Sequence, residues 1–111
     1  MMEKRTHYCG ELRTADIGSR VTVAGWVRKQ RNLGSLIFID LRDRTGYVQL
    51  AFDENSAPEL FEAASSVRSE YVLAVSGTVR ERSSKNPDIP TGDIEIYAET
   101  LSVLGESETP P

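Results

Sequence analysis

The sequence predicts an all-β fold with one short helix, a barrel of five strands. Three observations carry that prediction. Apolar and polar residues alternate with period two in four separate segments, as half-buried strands require, and a fifth strand follows the last loop. The turn Asp43-Arg44-Thr45-Gly46 joins two of those segments directly, with a glycine available for a positive φ, as a tight hairpin needs. Only one stretch, after Pro58, repeats its apolar residues at helical spacing.

The elements follow in order. Thr6 to Leu12 is a polar lead-in, and residues 14–18 after it are too short for more than a helical turn. In the first strand Val21, Val23, Gly25 and Val27 alternate with Thr22, Ala24, Trp26 and Arg28. Lys29 to Gly34 reads as a basic connection. The second strand, Ser35–Arg42, sets Ile37, Ile39 and Leu41 against Phe38, Asp40 and Arg42. In the third, Tyr47–Asp53, Val48, Leu50 and Phe52 point one way and Tyr47, Gln49 and Ala51 the other. Pro58 suits a first helical turn, and Leu60, Ala64 and Val67 recur at i, i+4 and i+7. The fourth strand, Tyr71 to Arg82, sets Tyr71, Leu73, Val75 and Val79 on one face. A polar, proline-broken loop covers Ser83–Gly92, and the last strand runs from Asp93 to Leu104. Three strands, a helix and two further strands is the element order of the OB fold. That fold is a five-stranded Greek-key β-barrel whose strand 2–3 face and adjoining loops hold oligonucleotides or oligosaccharides. Residues 1–104 are read as this barrel and 105–111, ending on two prolines, as the start of a linker.

A chain of 111 residues fits one domain with one core. No segment approaches the roughly 18–20 apolar residues of a membrane span, and the first residues lack a signal peptide's apolar stretch. With a single cysteine, Cys9, an internal disulfide is excluded and a cytoplasmic setting is expected. The net charge of −4 is unevenly spread: residues 1–50 hold 9 Lys/Arg and 5 Asp/Glu, residues 51–111 hold 4 and 12. Because screening limits a charge's reach to about 8–10 Å, an acidic chain can still present a basic face.

Phe38 is the informative residue. It shares a strand face with Asp40 and Arg42, where hydrophobic burial does not account for a large ring. An outward ring on a polar strand is what stacking on a nucleobase requires. The ordinary reading is a ring covered by the N-terminal segment or a neighbouring domain. Gln49 shares the outward parity and carries both a donor and an acceptor for a base edge. Arg31, Arg80 and Arg82 suit phosphates or base edges, and Glu95 could accept from a guanine or cytosine amino group. Trp26 is expected to pack at the barrel end. His7 with Cys9 is too little for zinc. No nucleophile–base pair, carboxylate dyad or phosphate-cradling glycine loop is visible, so catalytic and metal-binding residues are expected to be absent.

Residues 5–13 (Arg-Thr-His-Tyr-Cys-Gly-Glu-Leu-Arg), Gly25-Trp26-Val27, residues 34–46 (Gly-Ser-Leu-Ile-Phe-Ile-Asp-Leu-Arg-Asp-Arg-Thr-Gly), Gly77-Thr78-Val79-Arg80 and Thr91-Gly92-Asp93-Ile94-Glu95 closely resemble the N-terminal domain of bacterial aspartyl-tRNA synthetase. The resemblance spans nearly the whole chain. It implies recognition of the aspartate tRNA anticodon, whose G or queuosine, U and C splay over the barrel face. The position matching Phe38 would stack on the central base, with Gln49 and Arg31 nearby. Those matching Arg80, Arg82, Asn86 and Glu95 would contact the outer bases or adjacent backbone. The chain departs from some members at Ala51, where they carry a second aromatic, and in a shorter Ser83–Gly92 loop. For the full enzyme the resemblance implies a homodimeric class II ligase using ATP and Mg2+; this domain itself needs no cofactor. The alternatives are the anticodon domain of asparaginyl- or lysyl-tRNA synthetase, a nonspecific single-stranded nucleic-acid module, and a protein-interaction barrel.

Overall fold

The computed structural model describes residues 4–106. Within them lie two single-turn 3-10 helices, η1 (Cys9–Glu11) and η2 (Thr14–Asp16), then β1 (Arg20–Asn32), β2 (Leu36–Asp43), β3 (Gly46–Asp53), α1 (Pro58–Ser66), β4 (Val72–Glu81) and β5 (Ile94–Gly105). The strands close into a barrel in the order β1-β2-β3-β5-β4. All contacts between neighbours are antiparallel except a short parallel pairing of β3 with β5. The five strands and one helix expected from the sequence are present; Gly105, read as the first linker residue, ends β5 opposite Val72, and residues 107–111 of the expected linker lie outside the described residues. No helix among the described residues is long and apolar enough to cross a membrane.

β1 differs most from expectation. It continues through Lys29–Asn32, the segment read as a basic connection, and leaves only Leu33–Ser35 as a loop. Its first half pairs with β4 from Arg20 to Trp26, and its second half pairs with β2 from Trp26 to Asn32. Gly25 lies at this changeover, where a Cβ would overlap the Arg42 carbonyl oxygen of β2. A bulge at Arg28 then breaks the register between Val27 and Lys29. Strict alternation from inward Val27 would turn Lys29 and Arg31 into the core. The extra residue flips them outward, opposite Asp40 and Phe38.

The core is the set of inward residues that alternation assigns. Val21, Val23 and Val27, Ile37, Ile39 and Leu41, Val48, Leu50 and Phe52, and Leu73, Val75 and Val79 are all buried. Each such side chain contributes about 1.5–3 kcal/mol by leaving water. α1 packs over the end of the barrel marked by Leu36 and Asp53, burying Leu60 and Ala64. There the Gln30 amide donates to the Ala64 carbonyl at 2.8 Å. η1 packs at the opposite, hairpin end with buried Cys9. Burial pushes the Cys9 thiol up and the Asp43 carboxylate adds to the shift, so it stays protonated and serves as packing.

Gly46 has a φ of 141° and closes the two-residue hairpin opposite Asp43. Asp43 ties this hairpin to η1. Its carboxylate accepts from the Cys9 amide at 2.8 Å, the Thr45 amide at 2.8 Å and the Thr45 hydroxyl at 2.6 Å. Burial works to raise the Asp43 carboxyl, but the Thr45 hydroxyl and the Cys9 and Thr45 amides together hold it below the usual carboxylate range. Asp43→Ala would leave these donors unmet and should lower the unfolding free energy by about 1–3 kcal/mol at neutral pH. Because the folded carboxyl titrates low, its contribution is complete above about pH 4 and fades as pH falls through the folded value. Chemical denaturation of both proteins across acid pH should therefore show the gap closing. A gap independent of pH would contradict this role.

Candidate nucleic-acid interface

Facing strands set outward residues in rows across β1, β2, β3, β5 and β4. One row runs Arg31, Phe38, Ala51, Tyr97 and Thr78, because Phe38 pairs with both Arg31 and Ala51, and Tyr97 pairs with Ala51 and Thr78. The adjacent row contains Lys29, Asp40, Gln49, Glu95 and Arg80. Phe38 projects outward between fully buried Ile37 and Ile39 and is itself only half-buried. It is not bare, however. The Arg31 guanidinium lies over the ring, 4.9 Å from its centroid.

Arg31, Gln49, Glu95 and Arg80 form one polar chain. Arg31 Nη2 donates to Gln49 Oε1 at 3.0 Å, Gln49 Nε2 donates to Glu95 Oε1 at 2.7 Å, and Arg80 Nε donates to Glu95 Oε2 at 2.7 Å. The neighbours fix the orientation of the Gln49 amide, since arginine only donates and a carboxylate only accepts. Gln49 and Glu95 are 4% and 5% exposed. Both Gln49 functional groups are already engaged, so its first role is to join the two arginines through Glu95. Beyond its bond to Glu95, the Arg80 guanidinium lies over the Tyr97 ring, 4.2 Å from its centroid.

Tyr97 is a site residue that the sequence pattern did not single out, whereas Tyr47 already shares the outward face of Gln49 in the sequence. Ala51, fully buried, lies between Phe38 and Tyr97 in register, so β5 supplies the aromatic that β3 lacks. The signal was available: Tyr97 shares the parity of Glu95. Its hydroxyl donates to Asp53 Oδ1 at 2.6 Å, which lowers the Asp53 carboxyl and raises the Tyr97 phenol relative to their ordinary values. Tyr47 carries Arg28 at 4.5 Å over its ring, and Arg28 also pairs with Asp40 at 3.2 Å.

Arg82 and Asn86 join the face across a polar hollow of about 270 Å3, whose wall also includes Arg28, Lys29, Arg31 and Gln49. Asn86 Oδ1 accepts from the Asp88 amide at 3.0 Å, shaping the loop. Arg82 Nε is buried and has no hydrogen-bond partner among the described residues. An unmet donor of this kind costs about 1–3 kcal/mol, which an acceptor entering beside it would recover. All seven predicted residues, Arg31, Phe38, Gln49, Arg80, Arg82, Asn86 and Glu95, thus line one face, as two adjoining groups. A larger hollow of about 500 Å3 opens by α1 around Pro58 and Phe61 and contains none of them. Trp26, expected at the barrel end, lies half-buried at the end closed by η1, in one hollow with Tyr8 and Arg44.

Outward rings, each beneath an arginine and set beside a satisfied polar chain, give this barrel a face suited to nucleic acid. Bases have faces to stack and edges to read, and their phosphates match the guanidinium groups. The chain belongs to the tRNA anti-codon family of OB-fold nucleic acid binding domains, whose model matches residues 21–104. Among curated relatives, the aspartate–tRNA(Asp/Asn) ligase of Caldanaerobacter subterraneus subsp. tengcongensis is 59% identical over 110 residues, which cover 97% of this chain and 19% of that protein. The chain therefore spans about a fifth of the length of that relative. Asparaginyl-tRNA synthetase from Pyrococcus horikoshii, solved with asparaginyl-adenylate, is similar at 33% identity and a TM-score of 0.78, covering 98% of this chain and 24% of that one. An OBody solved bound to hen egg-white lysozyme matches with a TM-score of 0.84 at 26% identity, covering 96% of this chain and 99% of that one.

Glu95→Gln tests the polar chain directly. Gln49 and Arg80 both present donors to position 95, and an amide there can accept with only one end. The variant should lose about 1–3 kcal/mol of unfolding free energy, measured by denaturant titration. Wild-type stability in Glu95→Gln would show that the carboxylate does not hold the chain together.

Proposed function

We propose that this chain is the anticodon-binding barrel of an aspartate–tRNA ligase, and that it reads the three unpaired anticodon bases on the β2–β3–β5 face. The observation that carries the reading is Phe38, which stands outward from a strand whose inward residues are all buried. Support also comes from the 59% identity to a ligase named for aspartate and asparagine tRNA. Stacking a base on an aromatic ring is worth about 1–3 kcal/mol, whereas a guanidinium over an exposed ring gains about 0.5–1 kcal/mol. A base therefore outcompetes Arg31 for the face of Phe38, and Arg31 is released toward a phosphate or base edge.

In this reading Gln49 and Glu95 act as a fixed buried link that sets where Arg31 and Arg80 stand. A base that failed to match the donors and acceptors offered there would leave polar groups unsatisfied, at about 1–3 kcal/mol each. Arg82 and Asn86 take the outer bases or their backbone. Residues 1–104 form the binding domain and 105–111 begin the link to a catalytic region. The longer enzyme would be a cytoplasmic homodimer that attaches aspartate to its tRNA with ATP and Mg2+. Among the described residues no group of three or more His, Cys, Asp or Glu side chains is placed to hold a metal ion.

Phe38→Ala should weaken binding of the aspartate anticodon stem-loop roughly 5- to 150-fold, the equivalent of one lost stacking contact, with the fold intact by circular dichroism. Unchanged affinity in a fluorescence titration would remove the stacking role. Stem-loops with the first anticodon base replaced, or with the lysine anticodon, which differs at both outer bases, should bind more weakly to the wild type than the aspartate stem-loop. Equal binding of all of them would turn the reading into a nonspecific single-strand module.

A further inference from the structure

The opening segment and the hairpin tip contain side chains that the interface above does not use. The barrel brings Arg5, Tyr8 and Arg44 together at the end closed by η1. The Arg5 guanidinium lies 4.1 Å from the Tyr8 ring centroid and that of Arg44 lies 5.4 Å from the same centroid. Each also donates an Nη2 to the Tyr8 hydroxyl, at 3.0 Å and 3.4 Å. Two cations thus meet at one neutral oxygen, their donor nitrogens no further apart than those two distances laid end to end. Both arginines are exposed, and neither forms an ion pair among the described residues. Trp26 and Asp43 complete the wall of a hollow of about 410 Å3. Asp43 accepts from Cys9 and Thr45 and forms no ion pair with either arginine among the described residues.

We propose that this hollow is a second anion site, which takes a phosphodiester group of the bound RNA's backbone beyond the splayed bases. Ring contacts give each guanidinium about 0.5–1 kcal/mol but leave its charge in place. Two guanidinium forks set around one point match the oxygens of a single phosphate. Continuity selects an RNA backbone over a separate anion. Tyr47 lines the polar hollow of the candidate face and also the adjoining hollow walled by Arg42 and Thr45. Thr45 and Arg44 are consecutive in the hairpin, so a strand leaving the face past Tyr47 reaches the Arg5–Arg44 pair along a basic path. The proposal rests on the nucleic-acid-binding reading but not on which anticodon is read.

The test is titration of this chain with the aspartate anticodon stem-loop over a range of salt concentrations. Arg5→Gln combined with Arg44→Gln should weaken binding about fivefold and reduce the slope of log affinity against log salt by about 0.7–0.9, one phosphate contact. The same ratio is expected with scrambled anticodon bases, since phosphate contacts carry no sequence information. Tyr8→Phe, which removes the shared hydroxyl, should give a smaller loss in the same direction. An unchanged affinity and slope would overturn the proposal, and so would a loss confined to the aspartate anticodon. Loss of anticodon discrimination with the slope change retained would sink the aspartate assignment and leave the phosphate site standing. If the double variant does not fold, Arg44→Gln alone, at the exposed hairpin tip, is judged by the same two criteria.

Discussion

β1 has to serve two neighbours, and the rest of the barrel depends on how it does so. A strand that paired with β4 along its whole length would leave β2 with an open edge. By turning from β4 to β2 at Trp26 it closes the ring and removes both edges. The bulge at Arg28 adds a second consequence. It changes the phase of the remaining four residues, so that Gln30 reaches toward α1 while Lys29 and Arg31 join the outer face. One extra residue therefore supplies both the closure of the core and the cationic margin of the binding surface.

The outer face shows how an acidic chain holds arginines in order. Glu95 is a buried carboxylate on an outward row, a costly position unless both its oxygens are satisfied. Arg80 and Gln49 satisfy them, and Gln49 passes the constraint to Arg31. The arginines also rest on Phe38, Tyr97 and Tyr47, contacts weak enough to yield to a stacked base. The surface is thus preorganised by its buried links and adaptable at its exposed ends. Fewer side chains need to be ordered when the nucleic acid arrives, which is where preorganisation improves affinity.

At the hairpin end, Asp43 and η1 do for the turn what α1 does for the opposite opening. The Asp43 carboxylate binds two amides and a hydroxyl, and this holds Tyr8, one residue before Cys9, against the base of the hairpin. The arrangement explains why the lead-in is structured despite its polar composition. It also positions the cations at Arg5 and Arg44 without a carboxylate of their own.

By itself the sequence determined the inside and outside of each strand. Period-two alternation is a local property, and it assigned Ile37, Ile39 and Leu41 to the core and Phe38 to the surface. The turn at Asp43–Gly46 was equally local, since its register follows from its length and its glycine. The candidate residues were legible through the same parity, helped by the family resemblance. Alternation says nothing about neighbours on other strands, so the row joining Phe38, Ala51 and Tyr97 and the link from Arg31 to Arg80 required the tertiary structure. It also fails wherever a residue is inserted, which is why Lys29–Asn32 read as a connection. Pairing across distant segments decided which polar groups satisfy one another. That choice, made by the closed barrel, turned separate outward residues into a surface.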